Sequence, residues 1–132
     1  MAHHIPVSAD DSHDPLSRMR VYQLAAELIP DCYSDALLII KGPITKDLAP
    51  DLYAAVTSIE SNIAEAYSRS SGKERAARFE YALGSVRESM SLYKSSSPVL
   101  GAKIVKDRRD RLEEMRRMLL AIIPRERGRP MK

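Results

Sequence analysis

Apolar residues recur at steps of three and four along most of the chain, and nowhere in strict alternation, so the spacing predicts helices and no strands. In a first segment, about residues 16–38, Val21, Leu24, Leu28 and Cys32 form a stripe that Ala25, Ile29 and Tyr33 widen. Pro30 falls inside it. A proline there removes a backbone donor and crowds the carbonyl four residues back, which predicts a kink over residues 26–30 or two shorter helices. Lys41, Gly42 and Pro43 mark a loop. A second segment starts near Asp47, with Pro50 tolerated in its first turn, and carries Leu48, Leu52, Ala55, Ile59, Ile63 and Ala66.

Ser71-Gly72-Lys73-Glu74 has the form of a capping box opening a third helix. Its seam is Ala76, Phe79, Leu83, Val86, Met90 and Tyr93, and residues 95–98 close it. A fourth segment, about residues 103–123, directs Val105, Leu112, Met115, Leu119 and Ile122 inward, broadened by Met118 and Ile123. Arg108 stands on that seam, where an apolar residue is expected. Either its stem packs while its head reaches water, or it contacts an anion at the bundle end. Four amphipathic helices with short connections predict an all-α, antiparallel up-down four-helix bundle. Residues 1–15 read as a disordered leader, 16–124 as the bundle domain, and 125–132, beginning after Pro124, as a short basic tail.

Composition excludes several classes. One cysteine, Cys32, rules out an internal disulfide framework and a C-x-x-C zinc site. His3, His4 and His13 are too loosely spaced to suggest a metal, and no cofactor motif appears. The N-terminus lacks a basic region followed by an apolar one, which argues against a secretory signal and for a cytoplasmic protein. No uncharged stretch approaches the ~18 residues of a membrane span.

Charge changes the picture more. Residues 1–60 hold four Lys/Arg against nine Asp/Glu, and residues 61–132 hold seventeen against nine, so local balances of −5 and +8 lie under a net +3. This asymmetry has two readings: solvated helix faces with many opposite-charge pairs, or a surface for an anionic partner. Ser70-Ser71-Gly72-Lys73 lacks a phosphate-loop framework, but it sets a helix N-terminus beside Arg69, Lys73 and Arg75, either an ordinary capped turn or an anion site.

Residues 58–88 read SIESNIAEAYSRSSGKERAARFEYALGSVRE. Ser58-Ile59, Ser61-Asn62-Ile63-Ala64-Glu65, then Arg69, Lys73-Glu74, Arg78-Phe79, Ala82, Gly84-Ser85 and Glu88 form a pattern that resembles the four-helix-bundle family of 23S ribosomal RNA intervening-sequence proteins. It is also similar to a related group, the accessory variability proteins of diversity-generating retroelements. The likeness spans about residues 18–123. Glu60 stands where that family has proline, Ala66 where it has glycine, and Tyr53-Ala54 where it often carries two arginines.

The resemblance implies the bundle and, for several members, a homopentameric ring. For the retroelement group it implies assembly with a reverse transcriptase and RNA. The family pattern places Ser58, Asn62 and Glu65 on the second helix, and Arg78, Gly84, Ser85 and Glu88 on the third. Asn62 and Ser58, four apart, flank the apolar stripe, where an asparagine can cap or cross-link facing helices by hydrogen bonds. Glu65 can pair with Arg69 on its own helix or with Arg78 across the hairpin. Gly84 suggests close approach of another backbone. A catalytic role for Glu65, Ser85 or Glu88 lacks a neighbouring histidine.

Two functions follow. The first is a non-enzymatic nucleic-acid-binding assembly, in which Arg69, Lys73, Arg75, Arg78, Arg108, Arg109, Arg111, Arg116 and Arg117 meet RNA or DNA phosphates and a ring of five raises the charge to about +15. The second is a scaffold ring without nucleic acid, its basic faces neutralised by Asp107, Asp110, Glu113 and Glu114, docking a protein partner.

Overall fold

The computed structural model describes residues 13–128 and contains, among them, helices and turns but no strand. The Asp14 side chain accepts a hydrogen bond from the Leu16 amide (3.0 Å) and caps a 3-10 turn, Pro15–Arg18, which leads into α1, Arg20–Ile39. Then come α2, Leu48–Tyr67, and α3, Gly72–Ser95. A single turn, α4, Ser97–Leu100, precedes α5, Ala102–Arg127. The long helices α1, α2, α3 and α5 pack each against its chain neighbour, and α5 returns to α1, closing a four-helix bundle. Its antiparallel sense is visible in cross-helix pairs. Asp35, late in α1, meets Arg108, early in α5, and Arg75, early in α3, meets Glu126, late in α5.

Local chemistry sets the ends. Ser71 caps α3: its hydroxyl accepts from the Glu74 amide (3.1 Å) and donates to the Glu74 carboxylate (3.0 Å), the expected capping box in a variant form. Between α1 and α2, the Thr45 hydroxyl donates to the Ile39 carbonyl (2.9 Å), and a Cβ on Gly42 would stand 2.4 Å from that hydroxyl, so the turn requires glycine. Gly101, at φ +86°, turns the chain from α4 into α5 in a conformation L side chains avoid.

The core follows the stripes with a few departures. Leu28, Cys32, Leu52, Val56, Ile59, Ile63, Phe79, Val86, Leu112, Met115 and Leu119 are sealed from solvent. Tyr33, expected to widen the α1 stripe, is instead half exposed and meets Tyr53 edge-on at 5.8 Å, because it lies beyond the arc that α2 and α5 cover. On α3, Ser89 is buried and Met90 only partly so. The Ser89 hydroxyl can enter because it donates to the Ser85 carbonyl (2.7 Å).

Pro30 and Pro124 both sit within continuous helices, so the alternative of two shorter helices at Pro30 and the expected stop at Pro124 do not hold. α1 is not divided at Pro30. Near it, where the helix ladder loses a donor, Arg111 of α5 donates to the Glu27 carbonyl (3.2 Å). α5 runs past Pro124 to Arg127, so Arg125 and Arg127 are helical rather than part of a tail. The missing donor there faces the carbonyl of Leu120, an exposed residue that water can serve. Most of the expected leader, and Arg129 and Lys132 of the expected tail, lie outside the described residues. No helix is long and apolar enough to cross a membrane among the described residues.

Candidate nucleic-acid interface

The motif residues separate into an internal group and an external one. Inside the α2–α3 contact, the hydroxyls of Ser58 and Ser85 lie 2.7 Å apart. The Asn62 amide donates to the Ser58 carbonyl (2.9 Å) and hydroxyl (3.0 Å). Ser58 and Ser85 therefore cross-link the hairpin, while Asn62 bonds back to Ser58 on its own helix and supports that link rather than making one itself. Facing water, Glu65 pairs with Arg69 one turn on rather than with Arg78. Arg78 instead holds its guanidinium 5.5 Å from the Tyr81 ring centroid, a cation–π contact. Glu88 is exposed. Gly84 is exposed too, and a Cβ there would meet nothing within 4 Å, so no other backbone among the described residues accounts for the glycine.

The basic side chains sort by what they already bind. Arg75 is buried, with Nε on Glu126 (2.7 Å) and Nη1 on the Arg69 carbonyl (3.1 Å). Arg108 packs with its head mostly covered, held by carboxylates of the chain itself rather than free for an external anion. Its Nε and Nη2 donate to the two oxygens of Asp35 (2.8 and 3.2 Å), and its Nη1 donates to Asp107 (2.6 Å). The Asp35 carboxylate, 2% exposed, also accepts from the Tyr93 hydroxyl (2.6 Å). The bonds from Asp35 hold the Arg108 guanidinium above its ordinary pKa, and burial pushes the Tyr93 phenol up. Next to this cluster, burial pushes the Cys32 thiol up to about 12.

The rest of α5 is largely self-neutralised. Arg111 donates to Asp31 (2.7 Å) and Arg116 grips Glu113 through both Nε and Nη2 (2.7 and 2.8 Å), which lowers the Glu113 pKa. Arg117 stands 3.8 Å from the same carboxylate, and Lys106 donates to Asp110 (2.6 Å). Arg109 is half-buried, and its Nε has no acceptor among the described residues.

On the outer side of α3 the arrangement differs. Lys73, Arg87 and Lys94 are exposed and make no ion pair among the described residues. They share one heptad position, two turns apart or multiples of it, so they form a line with steps of about 10 Å. Glu80 interrupts the line, but its charge is met by Arg127. Arg78 and Tyr81 stand beside it. Sequence reasoning named Lys73 and Arg78 here and missed Arg87 and Lys94. The signal was present, since residues seven apart on a helix share a face. It also missed Asp35, Tyr93 and Glu126 as ion-pair or hydrogen-bond partners.

No group of three or more His, Cys, Asp or Glu side chains could hold a metal among the described residues. No curated protein matches the chain. A family model described as 23S rRNA-intervening sequence protein matches residues 17–121, the whole of the four-helix frame up to the last turns of α5. With that match over most of its length, on the bundle and hairpin described above, the chain belongs to the 23S rRNA-intervening sequence protein family.

Proposed function

We propose that this protein is a non-enzymatic, oligomeric nucleic-acid-binding protein of the cytoplasm, and that the outer face of α3 is its phosphate-contacting surface. The observation that carries this reading is the line of Lys73, Arg87 and Lys94, whose charges no carboxylate of the described chain neutralises. Arg78 and Tyr81 beside it add a guanidinium and an exposed ring. Unspent cations repeated at helical spacing suit a polyanion, and such binding is phosphate-led, tolerant of sequence and steep in salt. The family's name, which ties it to intervening sequences of 23S rRNA, agrees with RNA as the polymer. Assembly into a ring, a pentamer by resemblance, would repeat the face around it and multiply the net charge. A reverse transcriptase belongs to the same reading as a protein partner.

Filter binding of the full chain to RNA and DNA at low and moderate salt tests it. Replacing Lys73, Arg87 and Lys94 together by alanine should weaken binding and flatten the salt slope by about 0.7–0.9 for each phosphate no longer neutralised. Replacing Arg108, which is spent on Asp35, should act through stability alone. Absence of binding to either polymer at low salt ends the reading. Light scattering gives the assembly mass, and a monomer would remove the charge multiplication.

A second reading, a scaffold that docks proteins and binds no nucleic acid, is favoured by the neutralised α5 face and by an apolar surface. That surface runs from Tyr33 and Leu37 to Ile40, with Tyr53 and Pro50 of α2 opposite, around a groove of about 150 Å³. Co-purification with and without nuclease separates the two. A partner retained after nuclease supports the scaffold.

A further inference from the structure

We propose that the cleft at the end of the bundle where α1 begins binds a small organic anion: a phosphate or carboxylate carried on an aromatic or apolar body of nucleotide size. The cleft has a volume of about 680 Å³, within the range of small-molecule sites. It lies between the start of α1, the α2–α3 turn and the last turns of α5, away from the outer α3 line, and does not depend on the nucleic-acid reading. Its walls are apolar and aromatic, with Met19, Tyr67, Phe79 and Met118 among them. Its charge is strongly biased: four arginines line it, Arg20, Arg69, Arg75 and Arg125, against one carboxylate, Glu126.

Arg75 is the reason to read this as a site rather than a gap. It is 5% exposed, and two of its three nitrogens are spent on Glu126 and the Arg69 carbonyl. Its Nη2 is sealed from water with no acceptor among the described residues. A buried cationic donor left unpaired is costly, so it is expected to have a partner that the described residues do not supply. The planar fork of a guanidinium matches the oxygens of a phosphate or carboxylate. Two further guanidiniums are available at the rim. Arg20 makes no ion pair among the described residues, and Arg125 spends only its Nε, on the Ala121 carbonyl (3.2 Å). Arg69 is already paired with Glu65. Arg75 also sits in the first turns of α3, a 24-residue helix whose N-terminal dipole favours an anion. An inorganic ion would meet only the arginines, whereas an organic body would also cover Met19 and Met118.

Isothermal titration of the full chain with adenosine monophosphate, decanoate and inorganic phosphate tests this. At least one organic probe should bind once per chain and about ten-fold or more tighter than inorganic phosphate, and which one binds tells an aromatic body from an alkyl one. Arg20→Ala with Arg125→Ala, both surface changes, should weaken that binding by about ten-fold or more while the thermal melt stays in place. Arg75→Lys, which keeps the charge and loses the fork, should weaken it as well. The proposal is overturned if neither organic probe binds more tightly than phosphate, or if the Arg20/Arg125 double variant binds like the parent chain. Replacing Lys73, Arg87 and Lys94 should leave this binding unchanged, and equal loss there would place the anion on α3 instead.

Discussion

Replacing Asp35 with alanine tests the internal electrostatics of the bundle most directly. Asp35 is 2% exposed and accepts three bonds: from Tyr93 Oη (2.6 Å), Arg108 Nε (2.8 Å) and Arg108 Nη2 (3.2 Å). Its removal strands two donors. The Tyr93 hydroxyl is wholly buried, and an unsatisfied hydroxyl there costs about 1–3 kcal/mol. The Arg108 side chain, 16% exposed, keeps only Asp107 as a partner. Breaking a buried pair by removing one member costs about 3–5 kcal/mol, and because Asp107 still offsets part of the charge, the expected total is about 3–5 kcal/mol rather than the sum of both effects. The assay is chemical denaturation at neutral pH and fixed chain concentration, followed by far-ultraviolet circular dichroism. The triple change Asp35→Leu, Arg108→Met, Tyr93→Phe removes the polar groups together and should recover to within about 1 kcal/mol of the parent, since an apolar cluster of similar volume replaces an ion pair at little net cost. A loss below about 1 kcal/mol for Asp35→Ala would refute the reasoning, because it would mean that Arg108 and Tyr93 find water or other partners at no expense.

Other outcomes are as specific. Gly84→Ala should stabilise the chain by about 1 kcal/mol, since the glycine is inside an exposed helix face with open space at its Cβ; a loss of stability or of assembly mass would show that another copy covers that face. Ser58→Ala should cost about 1–2 kcal/mol, because Ser85 and Asn62 each lose a partner in the half-buried α2–α3 contact, as read by the denaturation midpoint. Cys32 should resist thiol reagents in the native protein and react once urea unfolds it, given complete burial and a thiol pushed up to about 12. Stability should hold between about pH 5 and pH 8 and fall on both sides. On the acid side Arg108 depresses Asp107 and Arg116 depresses Glu113, so their stabilisation is present above the unfolded values of 3.8 and 4.5 and is lost as pH drops through the lower folded ones. On the alkaline side the folded Cys32 keeps its proton above the unfolded value of 9.0, so the contribution is lost as pH rises from there toward about 12. A melt that is flat across either edge would contradict the assignment.

The helices themselves were legible in the amino-acid order because burial of an apolar stripe is a local, periodic constraint. Val21, Leu24, Leu28 and Cys32 announce α1, Ser71 and Glu74 announce the start of α3, and four such stripes have few ways to close other than a bundle. The hairpin pattern over residues 58–88 also marked the family. What each polar side chain does was decided by partners far along the chain. Arg108 looked anomalous on its apolar seam and Asp35 drew no notice; the antiparallel packing of α1 on α5 brings them within 2.8 Å and spends an arginine that its position on a basic helix had suggested for an anion. Arg75 likewise spends its Nε on Glu126, 51 residues away. Lys73, Arg87 and Lys94 remained available because no carboxylate of the described residues comes within ion-pair distance of them, Glu80 on the same line being taken by Arg127. Periodicity is a property of neighbours three and four apart, whereas charge neutralisation depends on distance in space, which only the assembled bundle sets.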